Sequence, residues 1–416
     1  MKKTAFTGGL LIDGTGSSPV EDSLVLVEAG KIVYAGIKKE VPSGFEIIDI
    51  TGKTLMPGII DAHLHFSGNL TENDTDWVME NNLQKAVVAV QQAHECLEAG
   101  LTTVGEISRF GIHIRNMIEA GIMTGPRIVA TGLGLCSTAG HGDSHNVSIE
   151  LNKDSHPWAE QVDGPWELRK AVRRRIRENP DAIKIWATGG GIWRWEKGME
   201  QHYCMEEIQA VADECKMRDI PLWAHCFGSA ANSVKAGADF IIHGWEIDDS
   251  TLDMMAEKNI MLCPTISFLP AWFSTYPPKY IPKVHDKFPG ETVTEKELNR
   301  IYSNLRNAVD KGIVLTIGSD SFNSNITPYG YTAIGEIHDF VNKAGISEMD
   351  TITAATLNGA KALKVDDLTG SIEYGKNADL IILKGNPLEN IEEISVENME
   401  YIMKDGNFVN KCYSRM

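Results

Sequence analysis

Short apolar runs stand at both ends of the chain, and glycine and aspartate separate them. Short apolar runs bounded by turn-forming residues predict short β-strands. The runs are residues 9–13, 23–28, 31–36, 379–383, 396–403 and 406–409. Because similar strands stand at both ends, we predict one small β-sandwich that is assembled from residues 1–55 and 364–416.

The middle of the chain, residues 56–363, follows a different pattern, in which short apolar runs alternate with amphipathic segments of helical period. The predicted strands are residues 55–60, 101–107, 127–131, 182–186, 221–224, 240–242, 261–264 and 314–317. The predicted helices are residues 84–99, 112–120, 166–178, 205–218, 229–236, 250–258, 295–311, 333–342 and 349–363. Eight strands with intervening helices predict an α/β fold, a (β/α)8 barrel. An open, doubly wound sheet is the alternative, but the glycine run 189–191 fits neither GxGxxG nor a phosphate loop.

The composition is ordinary for a globular protein and narrows the range of partners. The chain has 416 residues, of which 43% are hydrophobic and 23% are charged, and its formal net charge is −18. This acidity argues against nucleic acid and anionic membranes as partners, and no apolar stretch approaches transmembrane length. Seven scattered cysteines without a CxxC pair are typical of reduced thiols. We therefore predict a cytoplasmic protein that acts on a small molecule.

The most informative segment is Met56-Pro-Gly-Ile-Ile-Asp-Ala-His63-Leu-His65. Its apolar part predicts a buried strand, and the two histidines follow the end of that strand. Positions i and i+2 of an extended chain point the same way, so both imidazoles can reach one metal ion. Two histidines near a strand end also occur by chance, and the motif alone is a moderate signal.

Four more polar residues stand at or near the ends of other predicted strands. Lys184 lies in strand four, His225 and His243 end strands five and six, and Asp320 follows strand eight. Because the carboxyl ends of barrel strands meet at one mouth, we expect these side chains to gather with the two histidines of strand one. Each has a structural alternative: a histidine at a strand end is usually a satisfied polar residue, and Asp320 could cap the following segment.

Lys184 is the hardest of these residues to explain as structure. Its neighbours Ile183 and Ile185 are expected to face the helices, so the lysine faces the inside of the barrel. An unpaired buried ammonium is costly. Reaction with CO2 would convert the amine to a carbamate, an anion that can bridge two cations.

Three sequence elements carry a resemblance to a known family. They are the PGxIDxHxH element that begins at Pro57, the segment Ala354-Ala-Thr-Leu-Asn-Gly-Ala-Lys-Ala-Leu, and the segment Gly370-Ser-Ile-Glu-Tyr-Gly-Lys-Asn-Ala-Asp-Leu-Ile-Ile-Leu. Together with Asp320, they resemble the amidohydrolase superfamily, in the branch with a carboxylated lysine and a binuclear metal centre. The similarity covers essentially the whole chain.

The resemblance implies two zinc ions per chain, with manganese or iron as alternatives. In the implied centre, the more buried ion is held by His63, His65 and Asp320, the more exposed ion by His225 and His243, and both by carboxylated Lys184. It further implies that a metal-bridging hydroxide attacks a carbonyl carbon, and that Asp320 acts as general base and then as general acid. Homo-oligomers are common among such enzymes, so a homo-oligomer is expected by analogy only.

The loop Gly140-His141-Gly142-Asp143 narrows the resemblance to prolidase-like and Xaa-Arg/Lys dipeptidase-like enzymes, which are related to imidazolonepropionase-type amidohydrolases. In that branch the loop histidine helps to hold the substrate near its reacting carbonyl or its carboxylate. The resemblance therefore implies a catalytic and substrate-binding role for His141. A glycine-rich turn with a solvent-exposed histidine is the structural alternative.

The chain departs from this branch at Phe227, where a tyrosine hydroxyl commonly contacts the substrate carboxylate. A phenyl ring cannot donate that hydrogen bond, which weakens the expectation of a dipeptide carboxylate at this position. Trp193, Arg194 and Trp245 are further substrate-binding candidates. The tryptophans would favour a bulky apolar or ring-bearing substrate, or would simply pack a lid, and Arg194 could meet a carboxylate.

The leading hypothesis is a metal-dependent hydrolase that cleaves the C–N bond of a dipeptide, an N-acyl amino acid or a cyclic amide. A mononuclear deaminase of a nitrogen heterocycle is the first alternative, and Lys184 argues against it because such relatives lack the lysine. An esterase or lactonase would use the same binuclear centre. A non-catalytic scaffold is disfavoured because all six candidate ligands are present.

Overall fold

A computed structural model describes residues 3–71, 73–190, 196, 200–268 and 295–410. The strands are β1 (Lys3–Thr7), β2 (Leu10–Leu11), β3 (Ser23–Glu28), β4 (Lys31–Ile37), β5 (Glu46–Asp49), β6 (Thr54–Pro57), β7 (Ile59–Asn69), β8 (Leu101–Glu106), β9 (Arg127–Ala130), β10 (Gly134–Cys136), β11 (Ala159–Gln161), β12 (Ile183–Trp186), β13 (Leu222–Cys226), β14 (Phe240–His243), β15 (Met261–Cys263), β16 (Ser321–Asn323), β17 (Leu380–Leu383), β18 (Met399–Lys404) and β19 (Asn407–Phe408).

The helices are α1 (Asp74–Met79), α2 (Asn82–Glu98), α3 (Gly111–Glu119), α4 (Ile149–Ser155), α5 (Pro165–Arg177), α6 (Met205–Met217), α7 (Ala231–Ala236), α8 (Asp249–Lys258), α9 (Glu295–Asp310), α10 (Tyr331–Asn342), α11 (Glu348–Thr353) and α12 (Gly359–Ala362). A π-helical turn, Ala354–Asn358, joins α11 to α12, and a 3-10 turn covers Ile391–Glu393. The helices predicted from the sequence are present, with ends that agree to within two residues. The short elements α1, α4, β5, β10, β11 and β16 were not predicted.

Two sheets contain the strands from the ends of the chain. One has the order β4-β3-β1-β5, and the other has the order β19-β18-β17-β6-β2. The second sheet mixes both ends, because β17 pairs antiparallel with β6 on one side and with β18 on the other. Buried apolar side chains of both sheets belong to one cluster, which includes Phe6, Val25, Leu55 and Ile382.

The middle of the chain forms two sheets in which every pairing is parallel. Their orders are β11-β10-β12-β13-β14-β15 and β16-β7-β8-β9. Backbone hydrogen bonds link the two sheets at two places. The N–H of Asp181, before β12, donates to the carbonyl of Ala130 in β9 (2.8 Å), and the N–H of Ala62 in β7 donates to the carbonyl of Ile317 (3.0 Å).

Residues 314–317, predicted as the eighth strand, are not a strand in the structure. They form one isolated parallel bridge, between Leu262 and Leu315. The N–H of Leu262 donates to Val314 and its carbonyl accepts from Thr316, so the segment still runs beside β15. The pairing is too short and irregular for a strand because the chain leaves β15 at this point to bond with β7.

The strand predicted at residues 55–60 is two strands, β6 and β7, that belong to different sheets. Gly58 separates them: its N–H donates to Asp379 of the terminal sheet (2.9 Å), and the next N–H, of Ile59, donates to Gly100 beside β8 (3.0 Å). A Cβ at Gly58 would lie 2.2 Å from the side chain of Thr102, so only glycine fits this close approach.

Residues at the ends of two helices beside the parallel sheets favour the observed helix limits. Helix α5 has Pro165 in its first turn, and three arginines in its last turn interact favourably with the helix dipole. Helix α6 begins with a capping box in which the side chain of Glu207 accepts the N–H of Cys204 (2.9 Å). No helix within the described ranges is long and apolar enough to cross a membrane.

Candidate metal centre

His63, His65 and Asp320 form a compact group whose ligand atoms all lie within 4.8 Å of one another. Both histidines lie inside β7, so the prediction that they follow the end of strand one is wrong, although their shared orientation stands. The Oδ1 atom of Asp320 lies 3.2 Å from Nε2 of His63 and 3.1 Å from Nε2 of His65. All three side chains are buried.

Asp61 and a backbone hydrogen bond hold this group in place. Oδ1 of Asp61 accepts the N–H groups of His63 (3.1 Å) and Ser319 (3.0 Å). The N–H of Asp320 donates to the carbonyl of His63 (2.8 Å). Asp320 has a φ of 51°, a conformation that is uncommon outside glycine. These bonds stabilise that backbone and direct the aspartate toward the histidines.

A hydrogen bond orients His65 so that its second ring nitrogen faces Asp320. Nδ1 of His65 lies 2.8 Å from the carbonyl oxygen of Ile107, which can only accept, so Nδ1 carries a proton. Nε2 faces the carboxylate oxygen of Asp320 at 3.1 Å, the distance of a hydrogen bond. When Nε2 carries no proton, this nitrogen and the carboxylate oxygen can ligate one metal ion.

His225 and His243 form a second pair on neighbouring strands, β13 and β14. Nδ1 of His225 lies 2.9 Å from Nε2 of His243, whose other nitrogen lies 2.6 Å from the hydroxyl of Thr265. This 2.9 Å is a hydrogen-bond distance, shorter than the separation of about 3.3 Å between two nitrogen ligands of a tetrahedral zinc ion. Both nitrogens would ligate one ion after a small movement of the rings. The hydroxyl of Thr265 orients His243, as partners of metal-bound histidines commonly do.

Burial keeps these histidines neutral. It lowers the pKa of His63 to about 3, and it lowers the pKa values of His225 and His243 well below the ordinary value. Burial alone would raise the pKa of Asp320, but hydrogen bonds with His63 and His65 outweigh it and hold the pKa well below its usual value. Neutral imidazoles beside a carboxylate are the protonation states that a metal ion needs.

Lys184 is 1% exposed, and its ammonium nitrogen has no hydrogen-bond partner among the residues that the structure describes. Burial lowers the pKa of this side chain to about 7, although Asp320 opposes the shift. The charge of Lys184 in turn lowers the pKa values of His63 and His225. The lysine is therefore close to both the His63–His65–Asp320 group and the His225–His243 pair. The six residues predicted as ligands are therefore brought together, since the rings of His63 and His243 are only 5.4 Å apart.

His141 lies against this group, with its ring centroid 4.6 Å from that of His225. Phe227 stacks on His243 at 4.1 Å and contacts Trp245 at 4.2 Å, and both aromatic side chains are about 95% buried. The indole N–H of Trp245 donates to the carbonyl of Pro264 (2.6 Å). The predicted substrate residues His141, Phe227 and Trp245 thus line one side of the centre, whereas Trp193 and Arg194 lie outside the described residues.

Three residues near the centre were not predicted: Thr265, Glu196 and His202. Glu196 is 2% exposed, and its Oε1 atom lies 3.1 Å from Nδ1 of His141. Nothing in the local sequence distinguishes Glu196 from a surface glutamate. Thr265 follows β15 and could have been found by asking which residue ends that strand.

A separate cavity of about 890 Å³ opens at the amino ends of β13 and β14, and its lining includes Asp219 and Asp239. None of the six candidate ligands lines it. This cavity therefore does not coincide with the polar cluster, and we place the chemistry at the cluster because the buried candidate ligands are there.

Comparison with known proteins agrees with this geometry. Residues 54–409 match the model of the amidohydrolase family. The ochratoxinase of Aspergillus niger is 27% identical over 417 aligned residues, which cover 94% of this chain and 83% of that protein. The imidazolonepropionase of Thermoplasma acidophilum is 23% identical, with 95% and 90% covered. The crystal structure of a Xaa-Pro dipeptidase with methionine in its active site is 28% identical, covers 98% of this chain and 100% of its own, and superposes with a TM-score of 0.82.

These relatives imply a TIM-barrel fold, in keeping with the parallel sheets, and they support the prediction of a metal-dependent hydrolase of C–N bonds. The resemblance found in the sequence is confirmed, because the family model spans most of the chain. The chain belongs to the amidohydrolase family.

Proposed function

We propose that this protein hydrolyses the amide bond of a small molecule, a dipeptide, an N-acyl amino acid or a cyclic amide, at a centre of two divalent metal ions. The observation that carries the proposal is the convergence of Nε2 of His63 and Nε2 of His65 on one carboxylate oxygen of Asp320, at 3.2 and 3.1 Å. Beside them lies a buried lysine whose nitrogen has no hydrogen-bond partner among the described residues. Imidazole nitrogens and a carboxylate oxygen are a ligand set that divalent cations bind.

The donor atoms divide into two sets around a shared anion. His63, His65 and Asp320 would hold one ion, and His225 with His243 would hold the other. A carbamate on Lys184 would bridge both ions. Nitrogen and oxygen donors suit zinc, and manganese or iron would also fit them.

The state of Lys184 favours the carbamate. With a pKa near 7, much of this side chain is the neutral amine at physiological pH, and the neutral amine is the form that attacks CO2. Its nitrogen bonds to the carbon of CO2 and loses a proton, so a buried cation becomes a buried anion. This change replaces a charge that repels two metal ions with one that attracts them.

Two bound ions would lower the pKa of a water molecule and polarise the substrate carbonyl. Asp320 takes the proton of the attacking water at a carboxylate oxygen and returns it to the leaving nitrogen. The hydrogen bonds that hold the pKa of Asp320 low keep it ionised before the reaction, as a general base must be. His141 orients the substrate, and Phe227 with Trp245 provides an apolar wall.

The substrate class rests on the relatives and on this wall. An amide is favoured because the similar proteins include a Xaa-Pro dipeptidase. Phe227 replaces a hydroxyl donor with a ring that packs on His243, so we expect the substrate to present an apolar or ring-bearing group there. We further propose that the parallel segments of residues 56–363 close into a (β/α)8 barrel and that the two terminal sheets form a β-sandwich.

The test combines metal analysis with a substrate screen. Protein purified and loaded with Zn²⁺ is assayed for metal by mass spectrometry, and for hydrolysis of dipeptides, N-acyl amino acids and lactams. We expect two ions per chain and turnover of at least one compound. Asp320→Asn should lower kcat by about 10²–10⁴-fold, the contribution typical of acid–base groups.

The matched control is Asp248→Asn, because Asp248 caps helix α8 and its carboxylate bonds to Ser250 and Thr251 rather than to a candidate ligand. It should keep both the metal and the activity. One ion per chain with release of ammonia from a heterocycle would indicate a deaminase instead. Full turnover by Asp320→Asn would refute the proposed mechanism.

A further inference from the structure

A buried polar cluster lies beside the candidate centre and consists of His141, Glu196 and His202, which we call the Glu196 cluster. Nδ1 of His141 lies 3.1 Å from Oε1 of Glu196, and the same oxygen accepts the N–H of Gly190 at 3.1 Å. Nε2 of His202 lies 3.9 Å from this oxygen. His141 lies in the loop after β10, whereas Glu196 and His202 lie in the loop between β12 and α6, so the fold brings the two loops together.

The hydrogen bonds fix the proton positions on both histidines. The N–H of Gly190 can only donate, so Oε1 of Glu196 is an acceptor and Nδ1 of His141 carries the proton that it accepts. The backbone N–H of His141 donates to Nδ1 of His202 at 3.2 Å. The proton of a neutral His202 is therefore on Nε2, the nitrogen that lies near Glu196.

Packing fixes the position of the His141 ring. A Cβ at Gly190 would lie 2.3 Å from Cε1 of His141, so the loop backbone closes on one edge of the imidazole. The rings of His225 and Phe227 lie 4.6 Å and 5.6 Å from it. The contacts determine where the ring sits, but they do not determine which nitrogen is protonated.

We propose that Glu196 is a positioning residue that acts through His141. By accepting the proton of Nδ1, Glu196 leaves Nε2, at the far edge of the ring, as the nitrogen that meets the substrate. The N–H of Gly190 holds the carboxylate in place, and His202 lies beside it. This inference rests on the proposed function, since it takes His141 to be the substrate-binding histidine of that reaction.

The kinetic test uses Glu196→Gln, which keeps the size of the side chain. A glutamine can accept from Nδ1 through its oxygen or donate to it through its nitrogen, so it no longer selects one tautomer. With the amide that the screen finds to be hydrolysed fastest, we expect kcat/KM to fall about 10- to 100-fold, as for other residues that orient a functional histidine. The zinc content should stay unchanged.

Two further variants separate positioning from folding. Glu207→Gln removes a carboxylate that also accepts backbone N–H groups, those of Gly164 and Cys204 at 2.9 Å, but caps helix α6 instead. It should lower stability without changing kcat/KM. In a His141→Asn background, Glu196→Gln should cause little additional loss, because both changes act on one histidine. Additive losses would overturn the proposal.

A second readout needs neither metal nor substrate. Metal-free protein labelled with ¹⁵N-histidine is examined by NMR at about pH 9, well above the ordinary imidazole pKa of about 6.5. The His141 signals, identified by their loss in His141→Asn, should show a single Nδ1-protonated tautomer that becomes a mixture in Glu196→Gln. An unchanged tautomer would overturn the proposal, whereas an inactive protein with the expected tautomer change would count against the proposed function alone.

Discussion

At the scale of single residues, two buried lysines show how differently one side chain can be used. The nitrogen of Lys85 donates to the carbonyls of Trp77 and Ser155, each at 2.9 Å, so hydrogen bonds stabilise its buried charge. The nitrogen of Lys184 has no hydrogen-bond partner in the described part of the chain and lies 5.5 Å from the centre of the Trp186 ring. Since a buried ammonium without hydrogen bonds is costly, the proposed metal centre gives Lys184 a role that Lys85 does not have.

We therefore expect Lys184→Met to fold but to lose the metal centre. Methionine fills a similar volume without the nitrogen, so the bound metal should fall from two ions to one or none, and kcat should fall about 100-fold or more. Lys85→Met is the control, and it should lose stability while it keeps its metal, because it leaves two carbonyls unpaired. Metal analysis and urea denaturation of both variants test this expectation. Two ions bound to Lys184→Met would contradict the proposal that Lys184 bridges the metal ions.

Sequence reasoning found the residues of this site whose position in the pattern is informative. His225 and His243 end apolar strands, and Lys184 interrupts one, so each stood out against its neighbours. Glu196 and Thr265 did not, because their importance lies in a contact with a histidine that is distant in sequence. A contact of that kind depends on the path of a loop, which hydrophobic periodicity does not encode.

At the scale of elements, the close contact of β7 with β8 constrains the strand that carries two candidate ligands. Gly105 lies in β8 where the pairing register shifts, and a Cβ there would lie 2.4 Å from the carbonyl oxygen of Ala62. The next residue of β7 is the candidate ligand His63. The close contact explains why a glycine follows the β-branched residues of β8.

We expect Gly105→Ala to destabilise the fold by about 1–3 kcal/mol, the usual cost of overpacking a core. Gly335→Ala is the matched control. Its Cβ would meet Ser267 at an ordinary 3.8 Å, and it lies inside helix α10, where alanine is the better helix former by about 1 kcal/mol. Urea denaturation should thus give changes of opposite sign, and equal stability of the two variants would show that the strands can move apart.

Hydrophobic periodicity predicted the elements well where one segment serves one sheet. The helices from α2 to α10 that the sequence indicated begin and end near their predicted limits. It failed at residues 55–60, where one apolar run serves two sheets, and at residues 314–317, where the backbone divides its bonds between β15 and β7. In both places the local pattern is that of a strand, and the difference arises from pairing partners that are distant in sequence.

At the scale of the whole molecule, a buried ion pair ties the parallel sheets to the terminal sheet. Arg127, the first residue of β9, lies 3.0 Å from Asp379 and 2.8 Å from Asp405. The side chain of Asp379 is fully buried, whereas that of Asp405 is 48% exposed. The backbone N–H of Asp405 also donates to Asp379 (2.7 Å), and the nitrogen of Lys404 lies 3.6 Å from Asp379. The four residues form one network between β9 and the strands near the C-terminus.

Removal of the arginine should therefore destabilise the protein rather than merely loosen a surface contact. Arg127→Met leaves the carboxylate of Asp379 buried with fewer partners, and we expect the free energy of unfolding to fall by about 2–4 kcal/mol. Lys170→Met, which removes a cation from a pair that is 66% and 59% exposed, should change it by less than about 0.5 kcal/mol. Urea denaturation measures both values, and metal analysis should show an unchanged centre in each. Equal stability of Arg127→Met and Lys170→Met would show that the network does not hold the parallel sheets to the terminal sheet. The packing of apolar residues would then have to hold them together.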